Sequence, residues 1–418
     1  MRMPANACRI ADSIIEICVL VTLFTLPFSK SAIEIFVTLA ITVFFAKKIL
    51  IEKNFRVNVP AGVLIALALF FLCCLISIVN SGYLYLSFRA LVSKAIKWIL
   101  LFIVVADTFR TEARMRRVLA VMIFSSVLIL ADGIYQQYVS GMDFLHYPNN
   151  YPVFKFHDKP QGATTFPTAS FPFPNDFAAW INIYLFVFLS LFLFGLAGSK
   201  RLKIIIAPPL GLLVFFLYLT TARSAIFGAV ISAGILIFAN IRRFVVPVII
   251  LIIILSVAIV AIPYLRTYFT DSLDLRLSLS DRAGMWSVGW RIFKQHPIIG
   301  NGLNTFFENF RQMRTDADKG MGSYAHNCYL QMAADIGILG LGSFLAFLGL
   351  VILPNLRSAI RRPDSFMNAF SLGLCLGAVA FLVHSFFDTN LYSLNLACLF
   401  WCVLGLIQGI AGRDISGG

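Results

Sequence analysis

Three short stretches of this 418-residue chain combine residue types that move protons or hold anions. Ala325-His326-Asn327 offers an imidazole, whose ordinary protonation equilibrium at about pH 6.5 suits proton exchange near neutrality. Asp281-Arg282 opens a helical pattern in which Arg282, Trp286 and Trp290 recur at four-residue spacing and so share one face. Thr220-Thr221-Ala222-Arg223-Ser224-Ala225 sets one guanidinium among hydroxyls in a tight turn between apolar runs. Arginine presents a fixed fork of donors that matches phosphate oxygens, and it stays charged in a partly dry place. Each stretch also has a plainer reading: a histidine that only packs, an arginine that snorkels, and tryptophans that anchor a helix at a lipid surface.

Fainter signals lie nearby. His384 and Asp388 stand at i and i+4 and form a weaker candidate pair for supporting the pocket of His326. His296 precedes Pro297 and reads as a helix stop, with Ser280 or Asp281 as the cap that starts that helix. Asp316-Ala317-Asp318 matches a short acidic pattern that holds divalent metals in many soluble enzymes. Between Arg314 and Lys319 it reads instead as a solvated face, and no metal site is expected.

The elements that must position these residues are set by composition. At 59% hydrophobic and 13% charged residues, the chain cannot pack as a water-soluble globule, so it reads as an all-α polytopic membrane protein. The net charge of +14 comes without a nucleic-acid module, which excludes nucleic acid as the expected partner and leaves membrane lipid. The eight cysteines fall mostly in apolar runs and imply neither a disulfide framework nor a metal site. The N-terminus shows no cleavage pattern, so the first span is expected to stay in place.

About 12 spans are expected, near 11–27, 32–45, 61–79, 95–105, 118–138, 177–196, 204–219, 225–239, 245–263, 328–353, 366–386 and 394–410. The fourth is short, and residues 84–91 either extend it or lie at the interface. Basic residues crowd every second junction, as in Lys47-Lys48, Arg114-Arg116-Arg117, Lys200-Arg201, Arg242-Arg243 and Arg361-Arg362. The positive-inside rule then puts both termini in the cytoplasm and the loops 140–176 and 264–327 outside. The expected organisation is residues 1–263 as spans one to nine with an outer loop near 140–176, residues 264–327 as an outer loop with amphipathic helices, and residues 328–418 as spans ten to twelve. Glu34, Lys94, Lys97, Asp132, Asp176, Arg223, Asp335, His384 and Asp388 gather toward the outer span ends. A site at that interface fits this pattern better than a relay through the bilayer.

Taken together the motifs resemble the O-antigen ligase and O-antigen polymerase superfamily of bacterial inner-membrane glycosyltransferases. The residues that carry the resemblance are Thr221-Ala222-Arg223-Ser224, Asp281-Arg282 with Trp286, His296-Pro297-Ile298-Ile299-Gly300-Asn301-Gly302 with Phe306, Ala325-His326-Asn327-Cys328 through Asp335-Ile336-Gly337-Ile338-Leu339-Gly340, and Pro174-Asn175 with Ala178. Asp335 stands where that family's pattern has Glu. The resemblance implies a GT-C-like membrane glycosyltransferase with a helical periplasmic loop domain. It implies as donor a glycan on undecaprenyl diphosphate, and as acceptor the lipid A core or a second lipid-linked glycan. It further implies inverting transfer at the periplasmic face with no cofactor and no metal. Arg223 and Arg282 would stabilise the leaving diphosphate and His326 would take the acceptor's proton, with Asn327, Trp286, Trp290, Asn175 and Asp388 binding substrate. A lipopolysaccharide ligase is favoured because the chain is compact with one main outer loop, and a polymerase of lipid-linked repeats is the alternative. A flippase or exporter of lipid-linked sugars is disfavoured, since span centres are nearly free of ions.

Overall fold

Apolar runs can satisfy their backbone in a water-free layer only as helices or closed barrels. The described residues form helices and no strand. The computed structural model describes residues 3–146, 167–195, 199–239, 275–315 and 324–412. The span expected at 245–263 and the Asp316-Asp318 pair lie outside the described residues. In chain order the helices are α1 Met3–Thr25, α2 Lys30–Ala46, α3 Ala61–Ser77, α4 Leu84–Ala90, α5 Lys97–Thr108, α6 Glu112–Tyr135, α7 Pro174–Ser190, α8 Lys200–Leu219, α9 Arg223–Ala239, α10 Leu275–Gln295, α11 Phe306–Met313, α12 Cys328–Arg361, α13 Phe366–His384 and α14 Leu394–Ala411.

Among the described residues seven helical stretches are long and apolar enough to cross a membrane: Ala61–Asn80, Glu112–Ser140, Pro174–Gly195, Lys200–Leu219, Cys328–Arg361, Phe366–His384 and Leu394–Ala411. They match seven of the expected spans, and α9 is a shorter apolar helix. The short span expected at 95–105 proves to be the end of a longer stretch. A π-helical turn, Leu91–Ile96, joins α4 to α5, so helix runs unbroken from residue 84 to 108. A similar turn, Lys47–Glu52, extends α2.

The buried centre is built from α5, α7, α13 and α14, with α13 packed on both α7 and α9, and α5 on α14. Glycine permits the closest of these approaches. A Cβ on Gly373 of α13 would stand 2.5 Å from Val187 Cα, and one on Gly228 of α9 would stand 2.4 Å from the Ala380 carbonyl oxygen. The helix that carries Arg223 is thereby seated against the backbone of α13.

At the basic end of the bundle, Lys47 and Lys48 are buried in ion pairs. Lys47 contacts Asp12 at 2.7 Å and Glu52 at 2.9 Å, and Lys48 contacts Glu52 at 2.9 Å and Asp107 at 3.0 Å. Arg114 and Arg117 both meet Glu16. These pairs tie α1, the turn after α2, α5 and α6 together at one end.

At the other end α12 is broken. Gly337 has φ 72° and ψ 177°, which interrupts the helix seven turns before its C-terminus and frees backbone groups on both sides. Residues 297–302 take up those groups. Ile338 N–H donates to Pro297 O at 2.9 Å, Asn301 N–H to Ala334 O at 3.0 Å, and Gly302 N–H to Asp335 O at 3.0 Å. The fit allows no side chain at the joint: a Cβ on Gly337 would lie 2.1 Å from Ile298 O, and one on Gly300 would lie 2.3 Å from Asp335 O. Both glycines also adopt positive φ, which costs other residues strain. The two glycine-bearing motifs are therefore halves of one main-chain splice.

Candidate functional site

The splice fixes where the 275–327 segment enters the bundle, and His326 follows from it. Its backbone is left-handed, with φ 45°, an uncommon conformation for a residue other than glycine. The next residue, Asn327, is extended, and its Oδ1 accepts from the N–H groups of Tyr329 and Leu330, both at 3.0 Å. Asn327, expected to bind substrate, is thus the buried N-cap of α12. Capping turns the chain sharply and directs the neighbouring imidazole toward the end of α13.

There His326 Nδ1 lies 3.3 Å from Asp388 Oδ1. The imidazole is 37% exposed while the carboxylate is 9% exposed, so the pair has one wet and one dry member. Asp388 is held from several sides. Thr389 N–H donates to Oδ1 at 2.7 Å, Asn175 Nδ2 donates to Oδ2, and the fully buried His384 puts Nε2 3.7 Å from Oδ2. Cys328 N–H donates to Ser385 O at 2.9 Å, and its thiol donates to Asp388 O at 3.1 Å. These two bonds pin the start of α12 to the turn after α13. Asn175, also expected on substrate, is a partner of Asp388 from the first turn of α7, where Pro174 needs no donor. Burial alone would raise the Asp388 carboxyl, but the imidazoles of His326 and His384 hold it well below the usual carboxylate range.

The turn that holds Asp388 also carries Phe386 and Phe387, and these rings reach the arginine-bearing helices. Phe387 meets Phe227 of α9 edge-on, with centroids 6.3 Å apart, and Trp286 of α10 at 6.3 Å. Phe386 meets Trp286 at 5.8 Å. Phe227 and Trp286 lie one helical turn beyond Arg223 and Arg282 respectively. Both arginines are therefore set within a turn of the aromatic cluster beside Asp388. Arg223 is exposed, and the residue before its helix pair, Thr221, is also left-handed at φ 51°. A β-branched residue in that conformation is strained, and strain of this kind collects at functional sites. Arg282 is half-buried.

Two expectations about α10 are corrected. The helix already includes Leu275, so Ser280 and Asp281 lie inside it and do not cap it; an amphipathic run that continues upstream outweighs the preference of Ser and Asp for caps. The stripe of Arg282, Trp286 and Trp290 also divides. At 100° per residue, eight residues drift by about 80°. Trp286 faces the Phe386-Phe387 cluster, while Trp290 is 52% exposed and packs on Phe293.

Phe227, Tyr329, Val379, Leu382, Val383, Phe386 and Phe387 line an open apolar cleft of about 450 Å³ between α9, α13 and the start of α12. Tyr329 is fixed in its wall by donating its hydroxyl to Leu382 O at 2.8 Å. The sequence reading missed this cleft, although Phe227 at four residues from Arg223 and the Phe386-Phe387 pair beside Asp388 were available signals. Among the described residues no cluster of three or more His, Cys, Asp or Glu side chains is placed to hold a metal ion.

Among membrane-type helices, then, a buried carboxylate paired with a half-exposed histidine adjoins the turn whose Phe386 and Phe387 line an apolar cleft, and ring contacts link that turn to the helices of both arginines. Residues 208–345 match the O-antigen ligase family model, a match that runs from α8 through Arg223, Arg282 and His326 to just past the Gly337 break. It supports the O-antigen ligase superfamily and with it a membrane glycosyltransferase-like enzyme. None of the curated proteins compared matches the chain.

Proposed function

We propose that the chain is an O-antigen ligase that moves a glycan from undecaprenyl diphosphate to the lipid A core at the periplasmic face of the inner membrane. The observation that carries this reading is the His326–Asp388 pair beside the turn whose Phe386 and Phe387 line the apolar cleft. The prenyl chain of the donor occupies the cleft, beside Phe227 and Tyr329. Its diphosphate meets Arg223 and Arg282, whose forks match its oxygens.

With Nδ1 bearing the proton shared with Asp388, His326 Nε2 is the free acceptor atom. The acceptor hydroxyl attacks C1 of the donor sugar, its proton passes to Nε2, and the C1–O bond to phosphate breaks with its electron pair leaving on the diphosphate. The arginines offset the charge that grows on that leaving group. Asp388 stabilises the imidazolium and holds the tautomer, as a buried carboxylate does for a histidine base. One displacement inverts the anomeric carbon, and with two cations at the diphosphate the step needs no metal ion.

A polymerase would use the same site with a second lipid-linked repeat as acceptor. Lipopolysaccharide electrophoresis of a strain lacking the protein, complemented with wild type or His326→Ala, separates the two. Loss of the whole ladder with free lipid-linked polymer retained is the expected result. A core bearing a single repeat would make the protein a polymerase, and an unchanged ladder would overturn both readings.

A further inference from the structure

One buried carboxylate has no part in the reaction as drawn. Asp335 lies in the last turn of α12 before the Gly337 break and is 2% exposed. Its side chain faces the N–H groups of Asn304, Thr305 and Phe306 at the start of α11, yet neither oxygen has a partner in hydrogen-bond geometry. Lys94, from the π-helical turn before α5, approaches the same place and donates to Asn304 Oδ1 at 2.7 Å. Asn304 itself is left-handed, with φ 60°. An apolar side chain would fill the position of Asp335 without desolvating a charge, so packing does not account for a carboxylate here.

What the carboxylate touches is the connection that carries α10. Asn301, three residues before Asn304, donates its Nδ2 to both Ile292 O of α10 and Ala334 O of α12, each at 2.9 Å. Thr305 Oγ1 donates back to Gly302 O at 2.7 Å, closing the loop on itself. On its other side the loop rests on α4 and the turn before it, where Asn80 Nδ2 donates to Gly300 O at 3.3 Å and Gly302 abuts Ser81 and Ser87. Asp335 and Lys94 therefore reach one loop from two helices, and Asn301 ties that loop to the end of α10.

We propose that Asp335, Lys94 and Asn304 form an electrostatic latch whose task is positioning: it holds α10, and with it Arg282 and Trp286, over the His326–Asp388 pair. Arg223 and most of the cleft wall belong to α9 and α13, which the latch does not touch. Releasing the latch then leaves the donor able to bind and spoils its alignment. The kinetic half of this inference rests on the transferase reading above, while the structural half does not.

The test uses the full-length protein in lipid nanodiscs. Hydrogen–deuterium exchange is followed by mass spectrometry, and turnover is measured with lipid-linked donor and core acceptor. Asp335→Asn and Lys94→Met should each speed amide exchange in residues 299–313 and at the end of α10, with α3, α5 and α14 unchanged. Each should lower kcat by about tenfold or more while the donor KM moves by less than about threefold, the pattern of lost alignment. The double variant should fall no further than the worse single one, because both act on one latch. Exchange that stays at wild-type rates in 299–313, or that rises throughout the bundle, would overturn the latch. So would additive kinetic losses. If Asp335→Asn fails to accumulate, Lys94→Met, which leaves α12 intact, decides the question with the same readouts. Local exchange changes in a protein whose wild type transfers no glycan would uphold the latch and overturn the transferase reading.

Discussion

His326 and Asp388 lie 62 residues apart in sequence and 3.3 Å apart in space, joined because the N-cap of α12 and the turn after α13 are bonded through Cys328. Removing either partner should be felt in turnover more than in abundance. His326→Ala is expected to cost about a hundred to ten thousandfold in rate, as loss of a general base does. A His326→Ala protein that transfers glycan at near wild-type rate would return the residue to a packing role.

Asp388 also yields a pH prediction. Its carboxyl is held below the usual range, so its stabilising contribution is present above the unfolded value of about 3.9 and is lost as pH falls through the lower folded value. The thermal advantage of wild type over Asp388→Asn should therefore not shrink between about pH 8 and 5, and should close below about pH 4. Thermal-shift curves at stepped pH check this. An advantage that already fades between pH 7 and 5 would mean that the carboxyl titrates near neutrality.

Arg223→Lys and Arg282→Lys should each retain charge, lose the bidentate fork and slow turnover by about a hundredfold. The same assay run in a chelator should proceed at the untreated rate. Activity abolished by chelator and restored by magnesium or manganese would sink the two-arginine account of the leaving group.

The apolar cleft predicts a dependence on lipid length. Phe227→Ala and Tyr329→Ala should raise KM for a full-length prenyl donor and leave a donor with a truncated chain nearly unaffected, since only the long chain fills the space they line. Equal effects on both donors would move the lipid elsewhere.

Much of this was open to reading in one dimension. The apolar runs are legible because a span needs about 20 such residues whatever it packs against. Arg223, Arg282 and His326 stand out as candidates because their residue types and motifs suit phosphate and proton chemistry. The pairing of His326 with Asp388 is not legible, because it depends on two turns meeting, although His384 and Asp388 mark the right helix end. The same holds for Asn327 and Asn175, whose amides suit either a ligand or a cap and a carboxylate; only the fold shows which backbone and side-chain groups lie within reach. The length of the stretch from 84 to 108 is hidden for another reason: Arg89, Lys94 and Lys97 interrupt its hydropathy, and two of them are placed beside Asn304 and Glu34.

Gly337→Ala should be strongly damaging, adding about 1–3 kcal/mol of strain in a backbone region essentially confined to glycine and a Cβ 2.1 Å from Ile298 O. The protein is expected to fall in abundance, as measured by membrane immunoblot, while Gly342→Ala, which has open space around it, should accumulate normally. Normal accumulation of Gly337→Ala would show that the splice tolerates a side chain.

That joint has a consequence for which parts of the chain are free to vary. Because hydrogen bonds between main-chain atoms span the joint, the register between loop and helix is written largely in two glycines and a backbone path. The joint behaves as a socket: a loop that keeps the two glycines but differs in chemistry would meet the same main-chain donors and acceptors. The chemistry of the loop can then vary on a fixed mount, with Arg223, His326 and Asp388 left in place.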